Sequence, residues 1–199
     1  MPAGTTTKRI TIIQGHPDQA DDHLCHALAN AYRTGAEQAG HEVRHIAVAA
    51  LTFPFIRNKD DFENGERPDA IREAQSMIRT SDHLVFVYPL WLGTMPALLK
   101  AFLEQVFRYD FAFQPGPGGR FTPFLKGRSA RIVVTMGMPA MAYRWYFRAH
   151  SLKSLERNIL KFAGISPVRE SLFGMVDNAS PARRNRWLEQ MREHGAAGR

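Results

Sequence analysis

The sequence predicts an α/β fold: a doubly wound, five-stranded parallel sheet with helices on both faces, in a single domain over residues 1–199. Short β-branched runs alternate five times with longer stretches of helical periodicity, the order produced by parallel strands joined through crossover helices. The strand runs are continuously apolar, which implies a sheet covered on both faces. Neither an internal repeat nor a linker interrupts the alternation, and 199 residues are enough for one well-buried domain.

Each element has its own signal. Lys8 to Gln14, with Arg9-Ile10-Thr11-Ile12-Ile13, reads as the first strand. Gly15-His16-Pro17-Asp18 ends it. A helix follows over Asp22 to Ala39, carrying Leu24, Ala27, Leu28, Ala31 and Tyr32, with Gly40 as its stop. One of Asp18, Asp21 and Asp22 is expected to cap that helix. Glu42 to Val48 is the second strand, and Leu51 to Arg67 an irregular connection. Pro68 opens a helix with Ile71, Ala74, Met77 and Ile78 at helical spacing. His83 to Tyr88 is the third strand. The next helix runs from Pro96 to Arg108, proline being favoured in a first turn where its missing N–H would have no partner.

Gln114-Pro115-Gly116-Pro117-Gly118-Gly119 is a loop, with Phe111, Phe113, Phe121 and Phe124 around it. Ser129 to Met136 is the fourth strand, punctuated by Gly137-Met138-Pro139. A long helix is expected from Tyr143 to Phe162, ending at Gly164. Pro167 to Val176 supplies the fifth strand, and Ser180 caps a last helix through Trp187, Leu188 and Met191. Five such strands have a natural doubly wound solution in the flavodoxin-like order.

Composition narrows the class. The chain is 44% hydrophobic and 23% charged, an ordinary globular balance, and no apolar run approaches the roughly 20 residues that span a bilayer. Cys25 is the only cysteine and the N-terminal residues lack the apolar core of a secretory signal, so a cytoplasmic protein is expected. The net charge of +7 raises the question of nucleic acid. Its small clusters, Arg128/Arg131, Arg144/Arg148 and Arg183/Arg184/Arg186, belong to no DNA-binding motif, and fit the steering of small anions better.

Ligands in such folds bind outside the carboxyl ends of the strands, which selects three turns. The turn after the first strand leads into a helix N-terminus, where free N–H groups favour phosphate and His16 could add a donor. The turn after the third strand, Pro89-Leu90-Trp91-Leu92-Gly93, offers a flat apolar contact. The turn after the fourth, Met136-Gly137, lets a planar ligand approach the main chain. Tyr143 and His150 stand seven apart, two turns of a helix, and could share one side. Tyr143, Trp145, Tyr146 and Phe147 otherwise read as packing residues.

Other chemistries lack their residues. His23, Cys25 and His26 have no second cluster to complete a zinc set, and Cys25 in a helical pattern reads as a small buried side chain. G-x-S-x-G, Walker and G-x-G-x-x-G motifs are absent. What remains is a crevice with no acid–base pair or nucleophile, which makes sense where a bound cofactor does the chemistry.

Gly15-His16-Pro17, the run Pro89 to Lys100, Phe111-Ala112-Phe113, Leu125-Lys126-Gly127-Arg128 and Thr135-Met136-Gly137 together resemble the flavodoxin-like NAD(P)H:quinone oxidoreductases. The resemblance runs in family order from Lys8 to Phe173 and is most specific in Pro-Leu-x-x-Gly-x-x-Pro-Ala-x-Leu-Lys. It implies a non-covalent flavin, FMN or FAD, with FMN preferred because this compact chain shows no added adenine pocket, and NAD(P)H as co-substrate. By position His16, His23 and Leu24 would lie at the flavin phosphate. Pro89, Leu90, Trp91 and Leu92 would border the ring, and Thr135, Met136 and Gly137 its polar rim. Tyr143, and His150 across a one-residue gap, would be the catalytic pair. The resemblance further implies a homodimer with the active site at the interface, Phe113 joining Trp91 and Leu92 around a quinone or similar flat acceptor. Where the family commonly has Ser-Phe-Asn this chain has His23-Leu24-Cys25, and its Gly-Gly is Met136-Gly137. The alternative is a regulatory or electron-transfer flavoprotein serving another system.

Overall fold

The computed structural model describes residues 6–20 and 22–199; Asp21, one of the three acids weighed as a helix cap, lies outside the described residues. β1 (Arg9–Gln14) leads through α1 (Leu24–Gln38) to β2 (Glu42–Ala47). The connection that follows is irregular except for a short helix, α2 (Lys59–Glu63), and a 3-10 turn at Val48–Ala50. Then come α3 (Asp69–Arg79), β3 (His83–Pro89) and α4 (Ala97–Val106). The Pro/Gly excursion is a small antiparallel hairpin, β4 (Phe113–Pro115) against β5 (Phe121–Pro123). The chain continues through β6 (Ser129–Met136), α5 (Ala140–Trp145), α6 (His150–Lys153), β7 (Val168–Gly174) and α7 (Pro181–Ala196).

The main sheet has the order β2-β1-β3-β6-β7 and every pairing in it is parallel. This is the flavodoxin-like order expected from the sequence. Strand alternation sorts its residues onto two cores. Ile13, Leu84, Phe86, Tyr88, Ile132 and Val134 face α3 and α4, while Ile10, Ile12, Val85, Val87 and Val133 face α1 and α7. Each such side chain contributes about 1.5–3 kcal/mol by leaving water. The order reverses between β1 and β3, so the crevice at that switch point opens beyond Gln14 and Pro89.

Three expectations are corrected. First, α1 is capped by neither Asp18 nor Asp22. Its N-cap is His23, whose side chain makes no capping bond, and Asp18 Oδ1 accepts from the N–H of Ala20 instead. Second, the helix expected over Tyr143–Phe162 is broken. Arg148 and Ala149 take left-handed backbone (φ 52° and 49°), and the chain restarts as α6, continuing as a π-helix over Ser154–Lys161. The buried Tyr143 phenol fills that corner: its oxygen accepts from the N–H of Leu152 at 3.1 Å and lies 2.7 Å from Ser151 Oγ, supplying the cap that α6 lacks. Third, the break turns three of the aromatics read as packing residues outward, with Trp145 71%, Tyr146 81% and Phe147 47% exposed.

Arg108, buried at the end of α4, holds the irregular connection. Its guanidinium donates to the carbonyls of Phe62, Asp61 and Gly65 at 2.6–2.7 Å.

The end of the sheet away from the strands' carboxyl termini carries a pH liability. His83 is 1% exposed, and Nδ1 lies 2.7 Å from Ser129 Oγ. Burial, with Lys8 and Arg131 nearby, lowers its pKa from 6.5 to about 3. His194 falls to about 4 through burial and the Arg131, Arg199 and Arg169 charges. A histidine whose folded pKa is depressed leaves the unfolded chain binding more protons. Its stabilisation is therefore complete above about pH 6.5 and is lost as pH falls toward 3. At pH 4.5 His83 alone removes about 3 kcal/mol. Urea unfolding of His83→Gln should show a drop between pH 7 and 4.5 smaller than wild type's by about that amount.

Candidate functional site

Four strand-to-helix turns converge at the switch point on a cavity of about 420 Å³. The first turn gives His16, His23, Leu24 and Cys25; the β3 turn gives Pro89, Leu90 and Trp91; the β6 turn gives Thr135, Met136 and Gly137. Nine of the ten residues placed around a flavin by the resemblance line this one space. The tenth, Leu92, does not. Trp91 and Thr94 exchange both backbone hydrogen bonds, at 2.8 and 2.9 Å, around a two-residue turn in which Leu92 and Gly93 have φ of 48° and 79°. That left-handed turn suits glycine and strains leucine by roughly 1–3 kcal/mol. It leaves the Leu92 side chain fully exposed beside the cavity mouth.

One wall of the cavity is a histidine group. His16 is buried, stacked on His23 with ring centroids 4.0 Å apart, and meets Trp91 edge-on at 6.1 Å. Its Nδ1 lies 3.1 Å from the Asp18 backbone nitrogen and 3.2 Å from the Asp18 carbonyl oxygen, so the first turn holds the ring through that nitrogen in either tautomer. Burial lowers its pKa, and the neighbouring His23 and His26 lower it further against the Asp18 backbone bond. His23 Nε2 lies 2.9 Å from the Asp18 carboxylate. That carboxyl is held below its usual range first by the Ala20 N–H and then by His23.

The opposite walls are quieter. Cys25 Sγ lies 3.2 Å from Thr135 Oγ1, tying α1 to β6, and burial pushes its thiol up to about 12. It is therefore a protonated packing group and not a nucleophile. Gly137 leaves main chain open to the cavity, because a Cβ there would stand 3.1 Å from Asp177 Oδ2.

Sequence reasoning missed the wall built by Val176, Asp177 and Arg184, after β7 and on α7. In the sequence Arg184 is only part of a charge cluster; its Nη2 donates to the Val176 carbonyl at 3.2 Å, which holds the guanidinium at the rim. Asp22 also reaches the rim, with its carboxylate largely in solvent.

Three named residues lie elsewhere. Tyr143 is 1% exposed with its hydroxyl engaged inside the fold. His150, at the start of α6, is exposed. The helix break separates the pair that a continuous helix would have aligned. Phe113 borders a second, apolar cavity of about 170 Å³ with Phe62, Leu103, Phe107, Ile159 and Phe162. Tyr143→Phe should lower stability by about 1–2 kcal/mol, through the unpartnered Leu152 N–H, while flavin affinity stays unchanged. Urea unfolding and flavin titration of the same variant check both halves.

Comparison with known proteins agrees with this architecture. A family model described as flavodoxin-like fold matches residues 8–195. An uncharacterized NAD(P)H oxidoreductase of Haemophilus influenzae is 26% identical over 169 residues, 83% of each chain. Among solved structures, the NAD(P)H:quinone oxidoreductase from Methanothermobacter marburgensis superposes with a TM-score of 0.80 at 20% identity, covering 96% of both chains. An FMN-dependent NADH-azoreductase from Bacillus anthracis, in complex with FMN, does so at 0.76 and 18% identity, covering 96% of this chain and 99% of its own. At those identities the two structures share the fold.

Proposed function

The chain belongs to the flavodoxin-like fold family, and from that premise we propose that it is a flavin-dependent NAD(P)H dehydrogenase acting on a quinone or another flat acceptor. The observation that carries this reading is the convergence of nine expected flavin contacts on one open cavity whose two ends differ in character.

The lining fits a flavin in kind. His16, His23 and the first backbone N–H groups of α1 form an anion-binding end. Pro89, Leu90 and Trp91 form an apolar wall for the ring system. The Gly137 main chain and the Asp177 carboxylate offer hydrogen bonds to a polar rim, an acceptor for the imide N–H among them. A bound flavin supplies the two-electron chemistry. The protein's share is position and electrostatics: Trp91 and Leu90 keep water from one side, and the rim guanidinium of Arg184 offsets negative charge in the cavity. FMN is the preferred form, as in the azoreductase neighbour. Tyr143, with its hydroxyl committed to Ser151 and Leu152, serves this site by shaping the chain beyond β6.

The same reading includes a homodimer. Leu92, Met141, Trp145 and Tyr146 expose large apolar side chains, and such surface, where contiguous, marks contact with a partner. A second copy would cover it and bring Phe113 to its neighbour's pocket. No helix among the described residues is long and apolar enough to cross a membrane.

Purified chain saturated with FMN should oxidise NAD(P)H in the presence of menadione. Parallel double-reciprocal lines are expected, because donor and acceptor use one pocket in turn. Full flavin loading without turnover would contradict the enzyme reading.

A further inference from the structure

Beside the flavin cavity lies a smaller one of about 160 Å³, lined by Gln14, His16, Gln19, His26 and His45 with Ala47 and Ala49. The two spaces share His16. We propose that this smaller cavity is a second anion seat, one that binds a phosphate dianion, free or as a monoester, separately from the flavin phosphate.

The donors carry the argument. Gln14 is 2% exposed, and its Oε1 accepts the His16 N–H at 3.3 Å. That bond sets which end of the amide is which. The remaining end, Nε2, is a buried donor with no partner among the described residues, and it belongs to a residue lining this cavity. A buried amide N–H without an acceptor costs about 1–3 kcal/mol, which an anion reaching it from the cavity would recover. His16 lies between the two spaces, its Nδ1 held by the Asp18 backbone. His26 donates Nε2–H to the Asp18 carbonyl at 3.0 Å, which fixes its ring.

A cation fits worse. No group of three or more His, Cys, Asp or Glu among the described residues is arranged to hold a metal ion, and the open Gln14 group donates. The lining residues include no carboxylate. Burial lowers the pKa of both His16 and His45; His23, the N-cap of α1, and His26 lower His16 further against Asp18 of the first turn, and Arg33 of α1 with His26 lowers His45 of β2 further. Asp18 directs its carboxylate to His23. The volume exceeds a single water's share of about 30 Å³ several-fold, enough for a tetrahedral oxyanion. Two sources share this chemistry: free inorganic phosphate, and the 2′-phosphate of NADPH. The second source rests on the reductase reading above; the seat itself does not.

The test is the histidine C2 proton NMR spectrum of FMN-saturated protein titrated with inorganic phosphate at pH 6 and pH 8. Saturable shifts of His26 and His45 are expected. The affinity should fall about tenfold per pH unit above the histidine pKa for each proton taken up with the anion. His45→Gln, an exposed edge-strand change that leaves the core untouched, should weaken binding at least tenfold. NADP⁺ shifting the same histidines where NAD⁺ does not assigns the seat to the donor's 2′-phosphate; equal behaviour of the two assigns it to free phosphate. The proposal is overturned if phosphate moves neither histidine, if its effect vanishes once FMN is bound, or if His45→Gln binds phosphate as wild type does. Should the chain take up no flavin, phosphate shifts of His45 in the flavin-free protein would still uphold this seat while the reductase reading fails, because His45 lines the smaller cavity and not the flavin cavity.

Discussion

Gly137→Val should abolish flavin retention while leaving the fold intact. Gly137 follows the last residue of β6, and its φ lies outside the left-handed region, so valine can adopt its backbone without strain. A Cβ there stands 3.1 Å from Asp177 Oδ2, a close contact that a flexible carboxylate can relieve. The two valine methyls have no such relief; they occupy the cavity where main chain would meet the flavin rim. Loss of that contact and of the displaced volume should weaken FMN binding at least about hundredfold, roughly 2.7 kcal/mol. The melting temperature should stay within a few degrees of wild type. Equilibrium titration with FMN beside a thermal melt separates the two effects, and Gly137→Ala should fall between wild type and valine.

The second large effect is on stability. Helices α1 and α7 cross with their backbones in contact at two glycines. A Cβ on Gly35 would stand 2.1 Å from the Arg192 carbonyl oxygen, and one on Gly195 would stand 2.0 Å from that of Tyr32. Neither obstacle is the end of a flexible side chain. Gly195→Ala must therefore push α7 away from α1 and open the core around Tyr32 and Met191, at about 3 kcal/mol or more. Urea unfolding measures the loss. Once α7 has moved for one substitution the second adds less, so the Gly35→Ala, Gly195→Ala double variant should lose less than the sum. Because α7 also carries Arg184 to the cavity rim, FMN affinity should fall in the same variants.

Much of this architecture is written locally. The β-branched run at Arg9–Ile13 and the apolar runs at His83 and Ser129 become strands within a residue or two of where composition places them, since each is buried on both faces and little else could occupy the sheet centre. Their carboxyl ends form a cavity because the strand order reverses between β1 and β3, a consequence of topology that needs no side-chain detail. What stayed hidden depends on tertiary contacts. The break at Arg148 and Ala149 carries neither Gly nor Pro, and helix propensity argues against it. It exists because Tyr143 is buried and its hydroxyl terminates the next helix, and so the seven-residue spacing to His150 lost its meaning. The Asp177 and Arg184 wall was equally illegible, since only the packing of α7 on α1 carries that arginine to the first turn.

The central claim is that the bay between Trp91 and Gly137 holds a flavin, and the most direct measurement is tryptophan fluorescence while FMN is added to flavin-free chain. The account predicts saturable quenching at one FMN per chain, most of it absent in Trp91→Phe, whose ring no longer borders the cofactor, and no saturation in Gly137→Val. Absence of quenching at excess FMN and FAD, or binding that Gly137→Val leaves unchanged, would contradict it.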